Sequence, residues 1–319
     1  MTAALDFERP LADLRRRLET LEKQLAEHAS DELALELKSV ETELASKTEE
    51  VYGGLTRWQK VQVARHPQRP QTLEYAKAIC TDFVELHGDR FYGDDKAIVG
   101  GPARLDGRVV MIVGNQHGHE TKDRIERNFG KPHPEGYRKA LRLFRQAEKF
   151  GMPVLTFVDT PGASPFLEDE ERGQAWALAE NLAALAALRV PVICTIIGQG
   201  GSGGALALAL SDRLLMLEHS VFSVSMPEAA ASMLWRDAKF GPQAAEALKL
   251  TAQDHYELGL IDRIVPEPPG GAHADAAAAA ALLREALLEE LDTLERRSVD
   301  ELLAERYEKY RRIGAIAAA

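Results

Sequence analysis

The sequence predicts an α/β fold in which helices cover a sheet and both chain ends are helical. Six short β-rich runs carry that prediction: KAIVGG (96–101), RVVMIVG (108–114), PVLTFVD (153–159), PVICTIIG (191–198), RLLML (213–217) and VFSVS (221–225). Helical patterns such as GYRKALRLFRQAEKF and ERGQAWALAENLAALAAL separate the later runs. Several runs are continuously apolar, as strands buried on both faces are.

At the start of the chain, Leu11, Leu14, Leu18, Leu21 and Leu25 recur three and four residues apart, which puts them on one helix stripe. Leu33, Leu37, Val40 and Leu44 form a second stripe, and Ser30 and Asp31 between them suit helix caps. A helical hairpin is expected within an N-terminal arm spanning 1–72, packed on its own domain or reaching a partner subunit. The core occupies 73–268. It opens with Asp106-Gly107, the two-residue signal of a hairpin turn, between the first two strand runs. A hairpin followed by a helix, then strand and helix in alternation, differs from a plain doubly wound sheet. After PEPPGGAHAD, helices are expected over 269–319, the last opened by a capping box at Ser298 and Glu301.

Composition excludes several function classes. The net charge of -11 lacks the basic footprint of a nucleic-acid-binding protein. The two cysteines, Cys80 and Cys194, have no C-x-x-C neighbour, so no zinc ribbon can be built and no metal is expected in this chain. The first residues contain no apolar h-region, and no run reaches the ~18 apolar residues of a membrane span. A cytoplasmic protein without a membrane segment is the expectation.

Chemistry concentrates at Ile197–Ala207, where five glycines fall within residues 198–204. Glycine is entropically costly, and a run of it lets backbone amides approach a ligand at a helix start, where partial positive charge favours an anion. Four readings fit. Gly198-Gln-Gly200-Gly-Ser-Gly203 matches a dinucleotide fingerprint, with Glu218 as the distant acid. Gly200-Gly-Ser202-Gly-Gly204 matches a hydrolase nucleophile elbow, with Asp212 or Asp254 and His219 or His255 as partners. Amides of Gly203 and Gly204 could form an oxyanion hole, which needs no ionisable side chain. The glycines could also simply permit close packing. A second loop, Asp159-Thr-Pro-Gly-Ala163, again offers backbone donors near Gly162, with Asp159 fitting a turn or cap better than an acid catalyst.

The runs ARHPQRPQT, GDRFYGDDKAIVGGPARLDGR, ETKDRIERNFGKP, FVDTPGA, VPVICTIIGQGGSGGALA and IDRIVPEPPGGAH, in this order over about 64–273, resemble the alpha subunits of bacterial acetyl-CoA carboxylase carboxyltransferase. That resemblance implies a crotonase (ClpP-like) fold of repeated ββα units. It implies transfer of a carboxyl group from carboxybiotin, carried on a biotin carboxyl carrier protein, to acetyl-CoA to give malonyl-CoA, a step that opens fatty acid synthesis. It also implies a zinc-ribbon beta subunit as partner in an α2β2 assembly. Gly203 and Gly204 match the family's paired glycines, whose amides face the biotin ureido oxygen, and Gly162, Ala163, Gly200, Gly201 and Ser202 would line the substrate site. Two stretches depart from the family pattern: Ser164-Pro-Phe-Leu167 stands where Tyr-Pro-Gly is usual, and Met226-Pro-Glu-Ala229 where Ser-Pro-Glu-Gly is usual. Residues 119–149 hold nine Lys/Arg against five Asp/Glu, either a solvated face or an attraction for anionic groups.

Overall fold

The computed structural model describes residues 5–315, so the outermost four residues of each helical extension lie outside it. Both leucine stripes form helices, α1 (Arg9–Glu27) and α2 (Asp31–Gly53). Ser30 caps α2, its side chain accepting from the Leu33 amide at 3.2 Å. Leu11 is fully buried with Tyr52 and Val63, and the Tyr52 hydroxyl donates to Glu8 at 2.8 Å. Helices α3 (Arg57–Ala64) and α4 (Thr72–Ile79) lead into the sheet.

Strands β1 (Ile98–Leu105) and β2 (Arg108–Asn115) pair antiparallel across Asp106 and Gly107, whose φ of 50° and 80° give the expected two-residue turn. The chain continues through α5 (Thr121–Glu126), α6 (Pro134–Phe150), β3 (Val154–Thr160), α7 (Leu167–Glu171) and α8 (Gln174–Ala187). Next come β4 (Val192–Gly201), α9 (Ser202–Ala209), β5 (Arg213–Leu217), β6 (Val221–Ser223), α10 (Pro227–Trp235), α11 (Gly241–Leu248) and α12 (Ala252–Glu257). Strand β7 (Arg263–Val265), α13 (Ala276–Leu294) and α14 (Val299–Arg312) complete it. The seven-stranded sheet runs β1-β2-β3-β4-β5-β7, with β6 paired to the end of β4 and every pair after the hairpin parallel.

Period-2 alternation divides the core between two faces. Val192, Cys194 and Ile196 of β4 join the cluster under α6, α8 and α9, whereas Ile193 and Ile197 join the one under α4 and α13. Burial pushes the Cys194 thiol up to about 12 and Cys80 to about 11, so both behave as small apolar fillers. In α14, opened by the Ser298–Glu301 capping box, the buried Arg306 holds Asp212 in a two-pronged pair at 2.8 and 2.7 Å and donates to three carbonyls.

Two elements differ from the sequence expectation. Strand β4 continues past Gly198 through Gly201, so Gln199–Gly201 are paired strand rather than loop: Gly200 pairs with Thr160 and with Phe222, and Gln199 and Gly201 pair with Val221 and Ser223. Strand β7 has only three residues, too short to show a period.

Candidate active site at the start of helix α9

The carboxyl ends of β2, β3 and β4 converge, the place where open parallel sheets bind ligands. Asp159, at the end of β3, fixes the geometry. Its Oδ1 accepts the Gln199 amide at 2.8 Å, its own amide donates to Asn115 Oδ1 at 3.1 Å, and His117 Nε2 donates to its carbonyl at 2.6 Å. Its carboxylate is thus an anchor for β4. Burial opposes charging His117, but the Asp159 carboxylate, 3.3 Å from Nε2, outweighs it and raises the imidazole pKa.

The glycines separate by what a side chain at each would meet. A Cβ at Gly198 would stand 2.4 Å from Asp159 Oδ1, at Gly200 2.7 Å from the Phe222 ring, and at Gly201 2.3 Å from the Pro161 carbonyl oxygen. At Gly204 it would stand 2.4 Å from the Ala163 amide nitrogen and 2.7 Å from the Gly162 carbonyl carbon. Close packing against Asp159–Ala163 and β6 therefore requires four of them. Gly203 is different: its nearest neighbour would be Leu178 Cδ1 at 3.8 Å, an ordinary contact, and its φ is not positive. Neither packing nor backbone conformation demands a glycine there.

Gly201 is the N-cap of α9 and contributes no side chain, so Gly203 and Gly204 lie in the first turn, where amides have no intrahelical acceptor. Among the described residues neither amide has a hydrogen-bond partner elsewhere. Gly203 and Ser202 line a cavity of about 210 Å³, walled mainly by Leu206, Phe222, Val224 and His255. Gly204 is buried behind it against the Gly162–Ala163 peptide, its carbonyl accepting from the Tyr137 hydroxyl at 3.2 Å. Gly200 and Gly201 are buried strand residues.

Ser202 has φ 55°, the strained geometry of a nucleophile elbow, and shares the cavity with His255. No triad forms around it. Its hydroxyl has no partner among the described residues, Asp212 is engaged by Arg306, and Asp254 by Arg57 and Thr251. His219 lies against the Tyr52 ring. The dinucleotide reading fares no better: α9 is eight residues long, and Glu218 accepts the Glu267 amide at 3.2 Å.

One cluster among the described residues has metal-ligand side chains within reach, Glu8, His66 and His273, with ligand atoms inside 4.8 Å of one another. The two imidazoles stack at 3.8 Å and 25°, which sets their in-plane lone pairs side by side rather than toward a common point. Arg15 also stands 3.8 Å from the Glu8 carboxylate, repelling a cation.

In the first departure, Ser164 is buried, donating to Asp169 and accepting from Asn128 at 3.1 Å, while Phe166 and Leu167 are exposed. In the second, Glu228 pairs with Arg65, which also reaches Gln199 at 2.8 Å. Sequence reasoning missed Arg69, buried beside the site: it donates to the Ile197 carbonyl at 2.7 Å and to both oxygens of buried Glu267 at 2.8 and 2.5 Å. Burial would raise the Glu267 pKa, but the Arg69 charge holds it down at about 2. Part of the basic stretch is absorbed internally, with Lys139 on Asp94 at 2.6 Å and Arg138 on Asp89 at 2.8 Å.

Residues 4–314 match the family of acetyl co-enzyme A carboxylase carboxyltransferase-like proteins. The chain is 52% identical to the acetyl-coenzyme A carboxylase carboxyl transferase subunit alpha of Halorhodospira halophila, over 97% of each protein. It is 54% identical to that of Geobacter metallireducens over 98% of each. Among solved structures, a Pseudomonas malonate decarboxylase hetero-tetramer chain aligns with TM-score 0.59 at 21% identity, covering 76% of this chain and 97% of that one. A transcarboxylase 12S chain aligns with TM-score 0.59 at 20% identity, covering 71% of this chain and 42% of that one. These remote likenesses bear out the crotonase-type fold, and the close relatives decide the family: the chain belongs to the alpha subunits of acetyl-CoA carboxylase carboxyltransferase.

Proposed function

We propose that this chain is the alpha half of a biotin-dependent carboxyltransferase that moves a carboxyl group from carboxybiotin on a carrier protein to acetyl-CoA, giving malonyl-CoA. Its partner in this reading is a zinc-ribbon beta subunit, joined in an α2β2 assembly in the cytoplasm. No helix among the described residues is long and apolar enough to cross a membrane.

The observation that carries the reading is Gly203, the one glycine of its run that neither packing nor φ requires, with an unpartnered first-turn amide beside an apolar cavity. Carboxybiotin supplies the carboxyl group and, on giving it up, an anionic ureido oxygen. Apolar walls from Leu206, Phe222 and Val224 suit its hydrophobic bicycle, and the first-turn amides with the helix dipole suit the oxygen. A donor of this kind is worth about 3–4 kcal/mol in transition-state stabilisation. Asp159 and His117 act as positioning residues, holding β4 so that α9 starts where it does.

The test is reconstitution. The chain alone should form almost no malonyl-CoA from carboxybiotin and acetyl-CoA, and a beta subunit should restore the reaction. Gly203→Leu in the reconstituted enzyme should fold normally and lose at least 100-fold in rate. Restored activity that survives Gly203→Leu would overturn the site; a chain that no beta subunit activates would overturn the function.

A further inference from the structure

The outer face of α6 carries the part of the basic stretch that the fold does not absorb. Arg138, Arg142, Arg145 and Lys149 stand four, three and four positions apart, which puts them on one stripe of the helix. From 138 to 149 that stripe is about 16 Å long. Arg138 is neutralised by Asp89 and Glu135. Among the described residues the other three have no ion pair, and neither has Arg90 beside them. Arg90 and Arg142 both donate to the His87 carbonyl, at 2.9 and 3.4 Å, and Lys149 lies over the Phe150 ring at 5.5 Å. Burial and the Arg90 charge lower the Arg142 pKa, and the attraction of Asp94 and Asp89 does not reverse it. Of the bordering carboxylates, Glu148 accepts the Arg189 amide at 3.0 Å and Glu85 faces His87 at 3.8 Å. The result is a local cationic face on a protein of net charge -11.

An exposed phenylalanine stands at each end of the face. Phe91 is 86% exposed, with the Arg138 guanidinium over its ring at 5.4 Å, and Phe150 is 63% exposed. Aromatic rings with arginines are the composition that protein interfaces favour. The Phe91 end is held in shape, because Asp89 accepts the amides of Phe91, Tyr92 and Gly93 at 2.9, 2.8 and 3.0 Å. It is also tied to the candidate site. Arg172, over the Tyr92 ring at 5.0 Å, donates to Glu135 and Asp169, and Asp169 accepts from Ser164, the neighbour of Ala163.

We infer that this face is the docking surface for the protein that carries carboxybiotin, which meets it through an acidic face of its own. The identity of the partner rests on the function proposed above. A carrier must arrive and leave with each carboxyl group, and exposed charges suit that cycle: they speed encounter while adding little affinity. A nucleic acid fits less well, since the phosphates beyond so short a stripe would meet an acidic protein.

The test compares carboxyl transfer from free carboxybiotin and from the carboxylated carrier, in the enzyme reconstituted with a beta subunit. Arg145 and Lys149 make no hydrogen bond or ion pair through their side chains, so Arg145→Glu/Lys149→Glu should keep the wild-type melting temperature. It should raise KM for the carrier by about fivefold or more at low salt, leave kcat and the rate with free carboxybiotin unchanged, and approach wild type as salt rises. Lys23→Glu/Lys38→Glu, the same charge change on exposed positions of the N-terminal arm, should behave as wild type. An unchanged carrier KM, an equal loss with free carboxybiotin, or loss of the beta subunit on gel filtration would overturn the inference. So would an unchanged carrier KM with weakened retention of single-stranded RNA, which would assign the face to nucleic acid. Absence of transfer from either donor in the wild type would instead overturn the function proposed above, and the partner with it.

Discussion

Gly204→Ala is a methyl group added where there is no room. Its Cβ would stand 2.4 Å from the Ala163 nitrogen, 2.7 Å from the Gly162 carbonyl carbon and 2.8 Å from the Tyr137 hydroxyl. Ordinary contact begins about 1 Å farther out. None of these neighbours can swing aside: Tyr137 is fully buried, and the Ser164 amide next to Ala163 is tied to the Pro132 carbonyl at 2.9 Å. Overpacking of this kind costs about 1–3 kcal/mol, and the better helix propensity of Ala offsets at most about 1 kcal/mol of it. A net loss of about 1–2 kcal/mol in urea unfolding is expected. The Asp159–Ala163 segment must also shift relative to α9, and misplacement of about 1 Å near reacting groups costs on the order of 100-fold in rate. Gly203→Ala is the internal control, since its Cβ meets only Leu178 at 3.8 Å and stability should hold or rise. The assay pairs unfolding midpoints with initial rates of malonyl-CoA formation in the reconstituted enzyme. Wild-type stability and rate for Gly204→Ala, or greater destabilisation by Gly203→Ala, would refute the reasoning.

Glu267→Gln leaves the buried Arg69 cation uncompensated and should cost about 3–5 kcal/mol by urea unfolding; a loss below about 1 kcal/mol would contradict the pairing. Because the folded-state pKa of His117 is raised, its contribution is complete below the ordinary value of about 6.5 and fades as pH rises through the raised one. The melting-temperature gap between wild type and His117→Gln should therefore shrink with rising pH, and a gap independent of pH would exclude that ionisation. Ser202→Ala should slow carboxyl transfer less than about tenfold, because backbone groups rather than the hydroxyl are invoked, whereas a nucleophile would lose several orders of magnitude.

Local signals in the sequence carried much of this architecture. The leucine stripes, Ser30, Asp106-Gly107 and the Ser298–Glu301 box each act within a few residues, and each formed the element expected of it. The continuous apolar runs reported a sheet covered on both faces for the same reason. The glycine run misled at one point, because glycine disfavours strands in isolation and Gln199–Gly201 reads as loop. Its pairing is imposed by Asp159–Pro161 and Phe222, whose approach only glycine permits. Nor could the sequence separate Gly203 from Gly204, since that distinction depends on which of them faces Ala163. Arg69 and Glu267 are joined only by the completed sheet, and no period or spacing links them.

That last pair also sets a clock on biosynthesis. Arg69 and Glu267 are 198 positions apart, so at about 5–20 residues per second the cation waits roughly 10–40 s for its counter-ion. Until then its socket beneath Ile197 cannot close without stranding a charge in apolar surroundings. The nascent chain keeps that seam wet and open meanwhile, and the apolar surface around it stays exposed to aggregation and to chaperone capture.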